Sequence, residues 1–560
     1  MAEESLKVRY PATIDRVHVP MALPLLLAAA TVVTALLLYL TRHFDFQSDE
    51  WTFLLAAPHW GLKSYFEPHG EHWVTGLVAW YQAVLLVFGA RNYHVFMAGV
   101  LLMDAAVACM LFFLIRKQSG ELLALAAAAI MLGLGSGWED ILWAFQIGFT
   151  GSVAFGLVAV LLLRGEGLPS WRLALASGAL LCSLMLGGMG LFWLVLVTVE
   201  LFFSPPRRRY LGVVVVPTLA YLAWYAAIGH TTIASQRSPF SWAALVQLAT
   251  FVPTGIGAGF SGVFGFAARG REIALIGVTA VLAIRWHQRR WRVESLALGA
   301  LAGLIAEYAL TGLVRAQYGD LAATGSRYVW PAAVFGLLML TDAARGLPWN
   351  RLTQCVFIAI MVVSLGLNGV HLLQQVRGQN NVFALQDAQL QVTWMVRQAP
   401  GLDRQGPLPV RTPPVTIGGY LDARQALGSN LSDIQPSGLA HLDGTSVNQA
   451  FADALPVKTN LVATTPQVGG GACTASNASG IAEAQGRDRS VWLVTPSSAG
   501  PVRITVWYEG AASTAPSTTS VVGAGQSLEL ILPDSGLGLT WQLQVEVPPY
   551  LTASICSGAP

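Results

Sequence analysis

Charge is scarce in this chain. Asp, Glu, Lys and Arg together make up 11% of its 560 residues, against roughly 25% in ordinary soluble domains. That excludes a disordered chain, a nucleic-acid-binding domain and a single soluble enzyme. Cysteine is scarcer still, with five residues at spacings that match no metal motif. No unit of roughly 20–50 residues repeats, which excludes a solenoid or propeller. Apolar residues are abundant: they form 54% of the chain, and the mean hydropathy is +0.54. A polytopic membrane protein fits these values.

The charges are also unevenly spread. From residue 381 onward there are 8 basic and 12 acidic residues, while the first 380 hold 25 and 19. A basic membrane part and a mildly acidic tail are two different objects. Apolar runs of near-bilayer length fall at 21–40, 94–115, 121–135, 145–163, 172–187, 189–203, 210–228, 271–286, 294–313, 328–341 and 351–369. The first run lacks a clean small-residue cleavage site and reads as a span, not a signal peptide.

The segment 73–89 decides the topology. As an interfacial helix anchored by Trp73, Trp80 and Tyr81, it leaves 16 basic residues inside and 9 outside within residues 1–380, as the positive-inside rule favours. The expected fold is an α-helical polytopic membrane protein of about eleven spans over residues 1–370, with the amino end cytoplasmic and the carboxyl end outside the plasma membrane. Loop 229–270 is rich in Gly and Pro and reads as interfacial or re-entrant, not a regular span.

An amphipathic linker follows over 371–400, and 401–560 forms an extracytoplasmic, mainly β domain. VWLVTP, VRITVWYEG, SLELILP and LTWQLQVEVPPY alternate as strands do, and a small β-sandwich is the natural reading. Cys109, Cys182 and Cys355 lie in spans as packing residues. Cys473 and Cys556 lie in the tail, where a disulfide suits an oxidising compartment.

Chemistry concentrates in the outer connections. The loop after the first span holds Asp49, Glu50, Glu67 and Glu71 with His59, His69 and His72, beside Lys63. A carboxylate just beyond a span can meet a lipid-linked phosphate while staying hydrated, and an Asp or Glu can deprotonate an acceptor hydroxyl. Glu139 and Asp140 lie between two spans on the same expected side, so the two loops can line one cavity. Arg327 and Tyr328 open a late span, and an Arg there can hold a phosphate bidentately. Arg237 and Arg315 are further outward cations able to neutralise a phosphate leaving group. HGEH is not HExxH, so no fixed metal site is expected.

These residues resemble the GT-C superfamily of integral-membrane glycosyltransferases. The likeness rests on the acidic pair in Ser48-Asp49-Glu50, the long first outer loop with SYFEPHGEHW, a second acid at Asp140, and Arg327-Tyr328 opening a late span. It covers about residues 1–370 as an architecture. The layout of the tail resembles that of actinobacterial arabinosyl- and mannosyltransferases with extracytoplasmic carboxyl-terminal domains. The resemblance implies a polyprenyl-phosphate-sugar donor, no cofactor, and an inverting single displacement with Asp49 as base. The acceptor would be a cell-envelope glycan, lipid or protein. The loop around His69 and Glu71 lacks the Lys-Pro of some lipid-modifying members. Two rival readings are a secondary transporter using the in-span acids Asp104 and Glu307, and a non-enzymatic scaffold whose tail binds glycan.

Overall fold

The structure is a computed structural model that describes residues 19, 21–230, 242–266, 270–287, 293–344, 350–408, 415–462, 473–511 and 515–557. The chain divides into two compact units. The first comprises Met1–Arg42, Trp60–Val84 and His94–Gly378, and the second His43–His59, Leu85–Tyr93 and Gln379–Pro560. The boundary therefore falls some residues beyond the expected 370. Two stretches of the first outer loop region belong with the tail.

In chain order the helices of the amino-terminal half are α1 (Ala22–Leu40), α2 (Glu50–Ala56), α3 (Thr75–Phe88), α4 (Tyr93–Ser119), α5 (Glu121–Leu132), α6 (Trp138–Leu142), α7 (Ile147–Leu162), α8 (Ser170–Leu186), α9 (Met189–Phe202) and α10 (Val215–Trp224). Then come α11 (Trp242–Val263), α12 (Gly270–His287), α13 (Ser295–Arg315), α14 (Ser326–Ala344), α15 (Arg351–Met395), α16 (Ile417–Leu427) and α17 (Gly444–Ala454). Every apolar run read from the sequence is helical.

Fewer of them are long and apolar enough to cross a membrane. Among the described residues six qualify: Ala22–Leu40, Tyr93–Ser119, Ala144–Leu162, Pro205–Gly229, Ser295–Tyr318 and Arg351–Met395. A seventh arises if the pair Glu121–Leu132 and Gly135–Leu142, bent by 41°, is one broken span. By length and composition, six or seven of the eleven expected spans are therefore present among the described residues. At about 1.5 Å per residue, the 17 residues of α8 and the 14 of α9 fall short of the roughly 30 Å hydrocarbon layer.

The described part of loop 229–270 is not among the helices that qualify as spans. It contains a continuous 22-residue helix, α11, with Pro253 inside it. Its glycines serve packing and do not break it. A Cβ at Gly255 would overlap the Tyr308 ring of α13, and one at Gly259 would lie 2.7 Å from the Ala332 side chain of α14. Small residues four apart let helices approach closely where lipid offers no hydrophobic drive.

The broken pair α5–α6 is stitched in place by α15. Asn368 Oδ1 accepts from the Ser136 backbone N–H at 3.1 Å, and its Nδ2 donates to the carbonyls of Gly262 and Val263 at 3.2 and 3.3 Å. Ser136 Oγ donates to the Gly262 carbonyl at 3.0 Å. One buried amide thus satisfies backbone groups at the end of α11 and at the break before α6. Ser152 and Ser183 exchange hydroxyl-to-carbonyl bonds at 2.8 and 2.7 Å between α7 and α8.

The expected span 351–369 and the linker after it form one 45-residue helix, α15. In the second unit Ser48 takes φ +46° just before α2, a left-handed turn that a non-glycine residue adopts rarely. Glu50 is fully buried there, accepting from the Tyr93 hydroxyl at 3.2 Å and the Gln47 backbone N–H at 2.9 Å. Thr416 and Asp443 cap α16 and α17, accepting from Gly419 and Ser446 backbone N–H groups.

The strands are β1 (Pro68–His69), β2 (His72–Trp73), β3 (Pro407–Leu408), β4 (Val415–Thr416), β5 (Lys458–Val462), β6 (Cys473–Ala475) and β7 (Ile481–Arg487). They continue with β8 (Val491–Pro496), β9 (Gly500–Tyr508), β10 (Ser517–Val522), β11 (Ser527–Ile531), β12 (Thr540–Glu546) and β13 (Ala553–Ser557). The four segments read as strands are strands. They lie in two antiparallel sheets, ordered β10-β9-β12-β7 and β5-β11-β8-β13-β6. Alternate residues of β12, Trp541, Leu543 and Val545, are buried, the period-2 pattern of a half-buried strand. Cys473 and Cys556 face each other across β6 and β13 and form a disulfide.

Candidate functional site

The first unit contains a cavity of about 510 Å³, within the range of ligand pockets. Its polar end is set by a tight hairpin. β1 and β2 pair His69 with His72, and Gly70 takes φ +58° in the two-residue turn, a conformation glycine accepts without cost. Trp73 stacks on Trp224 of α10 at 5.3 Å and 6°. Trp224 Nε1 donates to the Phe66 carbonyl at 2.8 Å. The hairpin therefore holds Glu71 and His72 on the cavity wall.

Two guanidiniums share that wall. Arg315 Nη2 lies 3.5 Å from Glu71 Oε1. Arg327 sits at the start of α14, where its backbone N–H donates to Glu139 Oε2 at 3.1 Å. A carboxylate there also complements the helix dipole. The Arg327 Nε is 3.9 Å from the same oxygen, and its guanidinium lies 5.7 Å from the centre of the Tyr328 ring. Both ion pairs are long and partly exposed, so neither cation is strongly committed to its acid.

His72 completes this end. Its Nε2 is 3.7 Å from Glu71 Oε1, and its ring meets Phe149 edge-on at 6.2 Å. A Cβ at Gly188 would come within 2.7 Å of His72 Nδ1, so the glycine leaves room for the imidazole. Burial lowers the His72 pKa below 6.5; Glu71 opposes that shift, and His69, Arg315 and Arg327 add to it.

The rest of the wall is apolar and aromatic, with Met189, Phe192, Leu310, Leu313 and Val314 beside Tyr221 and Tyr225. The two tyrosines stand four apart, and a wide π turn over Tyr225–Gly229 follows α10. Such turns are frequent at functional positions.

Sequence reasoning singled out Glu71, His72, Arg315, Arg327 and Tyr328, and the fold brings these five to one cavity. Glu139 stands behind Arg327. Asp140 is fully buried and does not line the cavity. Neither of its carboxylate oxygens has a hydrogen-bond partner among the described residues. It is within electrostatic reach of Glu139, Arg327, Glu307 and Asp104. Lys63 is exposed and pairs with Glu67 at 3.3 Å, and the His69 ring rests near Phe145 at 5.5 Å. Asp49 and Glu50 belong to the second unit. Arg237 lies outside the described residues. Phe149, Tyr221, Tyr225 and the Gly187–Gly188 break escaped sequence reasoning. The i, i+4 tyrosine pair and the double glycine between two short helices were the available signals.

Among the described residues no group of three or more His, Cys, Asp or Glu side chains is arranged to hold a metal ion. No protein-family model matches the chain, and no curated protein matches it in sequence.

Proposed function

We propose that this chain transfers a sugar from a polyprenyl-phosphate-linked donor to a cell-envelope glycan, lipid or protein, on the outer face of a plasma membrane. The observation that carries the reading is the amphiphilic cavity. Arg315 and Arg327 stand at its polar end, and a long apolar and aromatic wall continues from them. That combination suits a phosphate joined to an isoprenoid chain better than a water-soluble nucleotide sugar. Six apolar helices of bilayer length supply a setting for such a donor.

In the reaction an acceptor oxygen bonds to the anomeric carbon. The bond from that carbon to the phosphate oxygen breaks, and its electron pair leaves on polyprenyl phosphate. Arg315 and Arg327 stabilise the charge of that leaving group, so no acid is needed to protonate it. Glu71 and Glu139 stand beside the two cations at 3.5 and 3.9 Å, loose enough to leave both guanidiniums available to a phosphate. By the resemblance to the GT-C superfamily, Asp49 takes the acceptor proton. The test is consumption of polyprenyl-phosphate sugars by the purified chain. Arg327→Gln weakens donor use about 10–100-fold, the worth of a charge-assisted contact, and Asp49→Asn abolishes turnover with donor binding intact. Wild-type turnover in both variants would end the proposal.

One observation favours the rival reading as a transporter. Glu307 and Asp140 are fully buried carboxylates, and none of their four carboxylate oxygens has a hydrogen-bond partner among the described residues. Ion-coupled transport predicts solute flux into vesicles that Glu307→Gln abolishes, with no donor consumed.

A further inference from the structure

A second charged place in the first unit lies apart from the cavity. It gathers where α7, α8 and α9 end or begin, on the turn Leu163–Pro169 and on the 3-10 helix Pro205–Val214 that opens the apolar stretch Pro205–Gly229. Five arginines meet there: Arg164, Arg172, Arg207, Arg208 and Arg209. Glu200 is 1% exposed and holds two of them on one oxygen, Arg207 Nη1 at 2.9 Å and Arg164 Nη2 at 3.1 Å. Arg164 Nε is buried and has no hydrogen-bond partner among the described residues. Arg172 Nη2 donates to the Arg164 carbonyl at 3.4 Å, which fixes it beside the pair. The other acids here, Glu166 on the turn and Glu294 just before α13, are exposed.

Arg208 and Arg209 are exposed but held. Arg208 Nε donates to the Phe202 carbonyl at 2.9 Å, and its guanidinium lies 4.9 Å from the centre of the Phe202 ring. Arg209 donates to the Tyr210 hydroxyl at 2.9 Å. That hydroxyl in turn accepts from the Leu168 backbone N–H at 2.9 Å. Around these cations Trp171, Phe202 and Phe203 are 61%, 50% and 54% exposed. Aromatic rings and arginines at the ends of apolar helices form the pattern of a bilayer interface.

We propose that this surface binds the phosphodiester headgroup of an anionic phospholipid. Guanidinium forks held at fixed positions match two phosphate oxygens at once. The exposed rings beside them favour a lipid over a free phosphate, because only a lipid brings acyl chains to cover them. Basic pockets at helix ends take anionic headgroups in the same manner. The inference rests on the apolar helices lying in a bilayer and is independent of sugar transfer.

The experiment measures the unfolding temperature of the full chain in phosphatidylcholine nanodiscs with and without phosphatidylglycerol, at low and high salt. Wild type gains stability from phosphatidylglycerol at low salt and loses the gain at high salt. Arg208→Gln with Arg209→Gln removes most of the gain, lowering apparent lipid affinity about thirtyfold. Arg208→Lys with Arg209→Lys keeps the charge without the fork and retains a gain between those of wild type and the Gln variant, which separates charge from misfolding. Three results would overturn the proposal: no gain in wild type, an equal gain in the Gln variant, or the same gain from inorganic phosphate alone.

Discussion

The disulfide of the second unit gives the most quantitative prediction. Cys473 and Cys556 join β6 to β13 across a sequence separation of 83. Replacing both with Ser avoids leaving a lone thiol and frees that loop in the unfolded chain. Loop-closure entropy for this length is worth about 4.5 kcal/mol at 25 °C. For a unit of roughly 200 residues, each kcal/mol moves the midpoint by about 2–4 °C, so a fall of roughly 9–18 °C is expected. Calorimetry of the full chain, with and without reductant, reads it. Reductant should move the same wild-type transition by a similar amount and leave the double variant unchanged. A shift of only a degree or two would refute the entropic reasoning, because it would mean that the link hardly restricts the unfolded chain.

Three further outcomes follow from the helical unit. Gly259→Leu forces a side chain against Ala332 and should cost about 1–3 kcal/mol or more, whereas Gly277→Ala, with open space around it, should be neutral or stabilising; thermal midpoints of the two variants compare them. Asn368→Ala leaves the buried Ser136 N–H without its acceptor, at about 1–3 kcal/mol, while Ser136 Oγ still donates to the Gly262 carbonyl and the Ser364 hydroxyl to the Val263 carbonyl, and should increase proteolysis at the break before α6. The third concerns pH. The pKa of His72 is lowered on folding, so the unfolded chain binds its proton more readily. Its contribution to stability is therefore complete above pH 6.5 and declines as pH falls below 6.5. His72→Gln should flatten that part of the stability-versus-pH curve, and an unaltered slope would contradict the burial argument.

The sequence predicted helices well because each apolar run is long and uninterrupted, and strands well because VWLVTP and LTWQLQVEV alternate clearly. Other features depend on tertiary partners that no local pattern reveals. Pro253 and the glycines of α11 read as breakers, yet Tyr308 and Ala332 use the space those glycines leave. The line between span 351–369 and its linker vanished because nothing between Arg351 and Met395 stops a helix. In the site, Glu71, Arg315 and Arg327 were legible as residue types at outer connections. Their pairing was not, because Arg315 and Glu71 stand 244 residues apart. Asp140 read as an outer-connection acid able to line a cavity and is fully buried in the fold.

The central claim is that Arg315 and Arg327 form the anion-holding end of a lipid-phosphate cavity, and direct binding of polyprenyl phosphate to the purified chain measures it. The account predicts saturable binding that weakens about 10–100-fold for each arginine changed to Gln, with unfolding temperatures preserved. Equal affinity in wild type and in the Arg315→Gln, Arg327→Gln double variant would contradict it.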